Sequence, residues 1–462
     1  MALKDSDLLI DRHTLDHLVE QSGRFLVLLF VFSLPFQRVL FLRENLFGLQ
    51  GLKPFNLLSA AVLACLFFQG TLLSATDRIE QKSLRIFLVY FAIFTVALIR
   101  SVPNAPLFHS RLPDVFPESY FDYILSSCIT SALYVLPFLF ILKNMRSFKE
   151  LDQITVVICL SISLLSVSLI ALVLMNPSAL SGNRDEMTDL CETYFGVHYN
   201  TIGTIYICTA PLLLHKLLTR NAYRWIVPMG LALVAILLLQ SRSALITVAV
   251  SCCLYLVWMR RFGILIAGAG LVGIALFLFS GPTIDALLSI GFVDSSDFSA
   301  DAVLTGRVDY IWIPLLDEWT SNIGLFLFGA GRYGIVTSEQ WDAGVLIHAA
   351  HAHNAILDFF VDCGALFTCA LIVFLLIGVA TALRVGRQLN SALYWALFTC
   401  IFGFGIGMFT EREIFPTVDN MYVFPIIAMM INLARLHALG GREIAGSYRL
   451  ASPRHDAASR SM

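Results

Sequence analysis

Residues 348–364 have the sequence HAAHAHNAILDFFVDCG, which places three of the ten histidines immediately before a long apolar run. If a helix begins near His353, its 3.6-residue period puts Asn354, Asp358 and Asp362 on one stripe. At about 1.5 Å per residue, Asp362 lies roughly 14 Å beyond His353 along that helix. In a membrane helix a carboxylate at that depth is costly and usually faces a bundle interior or a wet cavity. The stretch therefore predicts a polar site at the entrance to a membrane span.

The composition of the whole chain is that of an integral membrane protein. Of its 462 residues, 58% are hydrophobic and 14% charged, and the mean hydropathy is +0.78. Soluble domains are about a quarter charged. The net charge of −2 predicts no nucleic-acid partner. The ten cysteines lie mostly in apolar runs without a CxxC pair, so neither a disulfide framework nor a zinc site is predicted.

Apolar runs long enough for a bilayer core predict an all-α polytopic membrane protein with about 12 transmembrane helices. The predicted spans are 24–42, 54–75, 84–101, 121–142, 152–176, 200–218, 222–240, 243–259, 262–280, 352–381, 391–409 and 417–437. They form a nine-helix region, 24–280, and a three-helix region, 352–437. Residues 281–351, between the ninth and tenth spans, are predicted to form a large external loop that contains short helices. Residues 1–23 and 438–462 are polar ends.

The basic residues predict the orientation of these spans. With both termini in the cytoplasm, most of the 31 lysines and arginines lie on the cytoplasmic side, as the positive-inside rule requires. Merging 222–259 into one span would destroy that bias, although only QSRS interrupts the apolar run there. The segments 177–199, 281–351 and 410–416 then lie on the external side.

Four external arginines are candidate anion ligands, because a guanidinium can hold phosphate oxygens bidentately. Arg242 lies in so short a break that it must sit at the edge of the bilayer, either in an anion site or reaching the headgroups as a turn residue. Arg184 is followed by two acids, Arg307 opens an amphipathic segment, and Arg412 lies between two glutamates. A structural or solvated role remains an alternative for these three.

His353 is the candidate general base. The positive end of a helix dipole disfavours imidazolium, so the ring would stay neutral and accept a proton at neutral pH. The same helix end would attract a diphosphate. A purely structural His353 is the alternative. A metal site is not favoured, because His348, His351 and His353 lack helical i, i+4 spacing and HExxH is absent.

The sequence GAGRYG at 329–334 matches a dinucleotide fingerprint by letter only. Because no parallel strand precedes it, the motif predicts a tight turn between external helices.

Several motifs together resemble the signature of the O-antigen ligase and polymerase superfamily. In chain order they are Ser241-Arg242-Ser-Ala, Gly306-Arg307, the Gly-x-Gly turn at 329–331, and His353-Asn354 followed by Leu357, Asp358 and Gly364. The resemblance is concentrated in residues 235–370. Elsewhere it extends only to the pattern of membrane spans.

The resemblance implies glycan transfer on the periplasmic face of a bacterial inner membrane. Family ligases move a glycan from undecaprenyl diphosphate to a lipid A–core sugar, with no metal or other cofactor. Carried onto this chain, the resemblance makes Arg242 and Arg307 ligands of the diphosphate and His353 the base, and Arg184 becomes a third ligand by its loop position. The supporting residues would be Asn354, Asp358, His351 and Arg412. A single displacement with one base would invert the anomeric carbon.

Two alternatives remain open. A chain-extending polymerase would use the same donor, and the His-Asn to Gly364 spacing favours the ligase over it. A secondary transporter would use Asp358 and Asp362 as a proton or cation path. The transferred sugar, the acceptor hydroxyl and the oligomeric state do not follow from the sequence.

Overall fold

The computed structural model describes residues 12–39, 53–69, 77–112, 131–180, 184–219, 223–268, 307–344, 351–409 and 414–439, with a few isolated positions besides. Within these ranges the regular secondary structure is helical and contains no strand. This confirms the predicted all-α class. His348, Arg412, the polar tail and most of the predicted ninth span lie outside the described residues.

The helices of the first half are α1 (Arg12–Ser33), α2 (Pro54–Phe68), α3 (Arg78–Ser101), α4 (Ala105–Arg111), α5 (Ser131–Asn144), α6 (Phe148–Met175), α7 (Arg184–Phe195), α8 (Tyr199–Leu217), α9 (Tyr223–Leu238) and α10 (Arg242–Trp258). The second half contains α11 (Ile313–Ser321), α12 (Ile323–Phe328), α13 (Glu339–Asp342), α14 (Ala355–Leu389), α15 (Ala392–Gly407) and α16 (Val423–Ala438). A short π-helical segment, Val308–Trp312, precedes α11.

Five helical stretches in the described ranges are long and apolar enough to cross a membrane: Val19–Phe36, Arg78–Arg111, Phe148–Met175, Ala355–Leu389 and Val418–Ala438. Further apolar helices of 10–17 residues are α2, α5, α9, most of α10, and α15. A helix stands at each predicted span, of which the ninth is described only at its start, where 262–268 are helical. The shorter helices fall below the roughly 20 residues of a full crossing. The structure thus supports a polytopic membrane protein, and the predicted number of crossings stays a prediction.

Helix ends differ from those predicted by hydropathy because local capping decides them. α3 begins at Arg78 instead of residue 84, since Asp77 accepts hydrogen bonds from the backbone N–H groups of Ile79 and Glu80 at 2.9 Å each. The break between α9 and α10 lies where QSRS interrupts the apolar run. There Gln240 adopts a left-handed backbone with φ 53°.

The buried centre of the bundle is α8, which packs against α6, α9, α10 and α15. Small residues permit the close approach: a Cβ at Gly203 would lie 2.8 Å from the Cβ of Ala244. A buried ionic cluster lies where α3 begins and where α5 and α16 end. Lys143 Nζ lies 2.5 Å from Glu80 Oε1, both side chains being fully buried, and Arg435 Nη2 lies 3.0 Å from Glu80 Oε2. The candidate site lies at the opposite end of these helices.

Candidate active site

His353 lies just before α14 in a left-handed backbone conformation, with φ 54°. The helix begins at Ala355, two residues after His353, because Asn354 is its N-cap. The Asn354 side chain accepts hydrogen bonds from the N–H groups of Ile356 at 3.1 Å and Leu357 at 3.2 Å. Left-handed geometry costs a non-glycine residue about 1–2 kcal/mol, so neighbouring contacts must hold His353 there.

The His353 ring lies in a basic, partly buried environment. The rings of His351 and His353 are 4.1 Å apart, and the His353 N–H donates to His351 Nδ1 at 3.3 Å. Burial, together with the nearby charges of His351, Arg307 and His198, lowers the pKa of His353 to about 3. The ring is therefore neutral at pH 7, as predicted, but burial is the main cause and the helix end is not.

Arg307 lies near enough to His353 to contribute to the lowering of its pKa, although 46 positions separate the two residues. Arg307 is half-buried and immediately precedes the π-helical segment. Single-turn π-helical insertions are frequent at functional sites. A guanidinium beside a neutral imidazole provides a positive site with a proton acceptor next to it.

Arg242 is the first residue of α10, and the residue before it is hydrogen-bonded to the start of α8. The preceding Ser241 donates from Oγ to Asn200 Oδ1 at 2.8 Å, and the Asn200 N–H donates to His198 Nδ1 at 3.2 Å. Because His198 also acts on His353, these hydrogen bonds bring the start of α10 towards the site. The side chain of Arg242 lies outside the described residues.

Arg184 is the first residue of α7, and this helix too reaches His198. Thr188, one turn further along α7, contacts His198 Nε2 through its Oγ1 at 3.4 Å. The side chain of Arg184, like that of Arg242, is outside the described part of the chain. Two of the three predicted diphosphate ligands therefore begin helices that are connected to His198, α7 through Thr188 and α10 through Ser241 and Asn200.

Two residues near the site were missed by the sequence reasoning. His198 is the N-cap of α8, and its position just before an apolar run is the same signal that marked His353. Arg38 is exposed, and it interacts electrostatically with Tyr134, Asp419 and Tyr333. Its partners come from three distant segments, which no local pattern predicts.

The two carboxylates of the predicted stripe have structural contacts. Asp358 Oδ1 accepts a hydrogen bond from the Ala352 N–H at 2.6 Å. Asp362 Oδ2 lies 3.3 Å from Arg332 Nη1, and its Oδ1 accepts from the Gly334 N–H at 2.9 Å. Both carboxylates are thus used to hold loops against α14, as expected of buried charges.

The GAGRYG segment forms the predicted tight turn, and it packs on a break in α14 at Gly364, where φ is 80°. A Cβ at Gly364 would lie 2.4 Å from the Leu327 carbonyl oxygen, and one at Gly329 would lie 2.4 Å from that of Asp362. The N–H groups of Ala330 and Gly331 donate to the carbonyls of Val361 and Asp362, each at 2.9 Å. These two amides are therefore engaged with α14.

No group of three or more metal-ligating side chains occurs among the residues searched, which are the described ones. His351 contacts His353, while His348 and Arg412 cannot be placed.

The fold and site define a class: a helical membrane protein with a neutral histidine beside an arginine at the start of an apolar helix. A family model described as O-antigen ligase matches residues 227–368, which is less than half of the chain. This region is similar to the O-antigen ligase superfamily, which contains glycan-transferring ligases and polymerases, and the predicted resemblance is confirmed. The match does not separate ligase from polymerase. A comparison with curated protein sequences finds no match.

Proposed function

We propose that the chain is a metal-independent, inverting O-antigen ligase of a bacterial inner membrane. It would transfer a glycan from undecaprenyl diphosphate to a lipid A–core sugar at the periplasmic face. The observation that carries the proposal is the neutral His353 beside Arg307, within the region that matches the family. The proposed topology has about 12 spans with both termini cytoplasmic, which puts the site on the periplasmic side.

The proposed reaction is one displacement at the anomeric carbon. His353 takes the proton of the acceptor hydroxyl, whose oxygen then forms the new glycosidic bond. The bond from the anomeric carbon to the diphosphate oxygen breaks, and its electron pair leaves with undecaprenyl diphosphate. Arg307, with Arg242 and Arg184, would stabilise that charge. Attack opposite the leaving group inverts the configuration.

His353 Nδ1 is buried and has no hydrogen-bond partner in the described structure, so Nε2 is the nitrogen available to substrate. A base at Nε2 requires that the neutral ring carry its proton on Nδ1. The other tautomer would make Nε2 a hydrogen-bond donor to the diphosphate. A glutamine at this position separates the roles, because it can donate a hydrogen bond but cannot take the proton.

The test is transfer in detergent with EDTA present, from undecaprenyl-diphosphate glycan to rough lipopolysaccharide. Wild type should produce a glycan ladder on lipid A–core, and His353→Gln should lose about 10²–10⁴ of the rate. His437→Gln, at the far end of α16, is the matched control and should retain activity.

Each other outcome has a definite meaning. If His353→Gln retains activity, His353 acts as a hydrogen-bond donor to the diphosphate and not as a general base. Longer lipid-linked glycan without a modified acceptor would make the chain a polymerase. No transfer from several donors would reject both activities.

A further inference from the structure

The further inference concerns how His353 is held in its unfavourable backbone conformation, and it rests on the proposed function. The residue before it, Ala352, is fully buried. Both backbone groups of Ala352 are bound by side chains instead of by regular secondary structure. Its N–H donates to Asp358 Oδ1 at 2.6 Å, and its carbonyl accepts from the Trp312 indole Nε1 at 2.8 Å.

The two side chains come from the two segments that carry the proposed chemistry. Asp358 lies in the first turn of α14, directly after the cap that follows His353. Trp312 ends the π-helical segment whose N-cap is Arg307. The peptide groups around Ala352 therefore connect the arginine's segment to the histidine's helix.

The rest of the turn is held less directly. The N–H of Ala355 donates to the Met408 carbonyl at 2.8 Å, and that of His353 to the His351 ring at 3.3 Å. These bonds fix the helix start and the histidine pair, but neither connects His353 to Arg307. The Trp312 hydrogen bond does make a connection, because Trp312 belongs to the segment that begins after Arg307.

We propose that Trp312 and Asp358 are positioning residues, which clamp Ala352 from both sides and so set the His353 ring against Arg307. Neither needs to touch substrate. Loss of the indole hydrogen bond would let the turn relax from its left-handed geometry. Displacement of a catalytic group by about 1 Å can cost about 10²-fold in rate.

The test compares two tryptophans that make the same kind of bond. Trp312→Phe retains the ring and loses the N–H donor to Ala352. Trp319→Phe makes the identical change at a fully buried tryptophan. The Nε1 of Trp319 donates to the carbonyl of Val361 at 3.1 Å, inside α14 and away from His353. Both variants are assayed for kcat, for the KM of the lipid-linked donor and for thermal unfolding.

Trp312→Phe should lower kcat by about 10- to 100-fold with little change in KM, whereas Trp319→Phe should keep kcat. Asp358→Asn, which keeps the Oδ1 acceptor, should be much closer to wild type than Asp358→Leu. Equal losses in both tryptophan variants, in proportion to their thermal destabilisation, would overturn the proposal.

A second measurement does not depend on transfer activity. Diethyl pyrocarbonate modifies neutral imidazole nitrogens, and mass spectrometry can follow the rate at His353 and at His437 separately. Trp312→Phe should change the His353 rate alone, and Trp319→Phe should change neither. If the wild type transfers no glycan but the variants show this pattern, the ligase function is rejected and the positioning role of Trp312 is retained. If the His353 modification rate is unchanged in Trp312→Phe, the positioning role is rejected.

Discussion

His353 combines three unusual properties: a left-handed backbone, a partly buried ring and a lowered pKa. The sequence predicted that its ring would be neutral. What could not be predicted is that burial dominates over the helix end. Burial depends on how distant parts of the chain pack around the ring, which no local sequence pattern predicts.

The lowered pKa of about 3 predicts an unusual pH dependence of the free enzyme. Since folding lowers this pKa from 6.5, the base form persists as pH falls through the ordinary histidine range. A bound diphosphate adds negative charge and raises the pKa again. The acid limb of kcat should therefore lie at higher pH than that of kcat/KM for the donor.

The measurement is a pH profile of both constants, with thermal unfolding in the same buffers to exclude loss of fold. A kcat/KM that titrates at 6.5 or above would contradict the lowered pKa of His353.

At the scale of elements, the feature that organises the site is the break of α14 at Gly364. The predicted stripe of Asn354, Asp358 and Asp362 has the correct helical spacing. Asp358 and Asp362 also hold loops to the helix. The hydropathy pattern contains no information on which loop packs there, so that role could not be predicted.

Gly364→Ala should destabilise the protein by about 2–4 kcal/mol, because a Cβ would meet the Leu327 carbonyl and φ is positive. Gly378→Ala in the same helix is the matched control, since nothing lies within 4 Å of its added Cβ. The measurement is the unfolding midpoint in one detergent. Equal midpoints for the two variants would show that the break is unimportant for stability.

At the scale of the whole molecule, the two ends of the bundle differ in character. One end carries the site, and the other carries the ionic cluster of Glu80, Lys143, Arg435 and Asp77. The basic residues of this cluster belong to the side predicted to be cytoplasmic from lysine and arginine counts. The helix order was predictable from apolar runs, but the pairing of these charges was not, since up to 358 positions separate the partners.

Lys143→Met should lower stability by about 3 kcal/mol, because it leaves the buried Glu80 with one cation fewer. Lys149→Met, at an exposed lysine in the next helix, should have little effect. The midpoint of thermal unfolding measures both. If adding Glu80→Gln to Lys143→Met restores no stability, the loss does not come from an unbalanced charge.

The break at Gly364 also has a consequence for the order in which the segments of the chain are synthesised and inserted. Carbonyl groups left without partners in lipid cost several kcal/mol each. Those of Val361 and Asp362 receive their hydrogen bonds from Trp319, Ala330 and Gly331. All three donors are translated before α14, so they have left the ribosome when that helix enters the bilayer. The donors are thus already synthesised when α14 inserts. A chain with the two segments in reverse order would have to insert α14 while the carbonyls of Val361 and Asp362 had no partners.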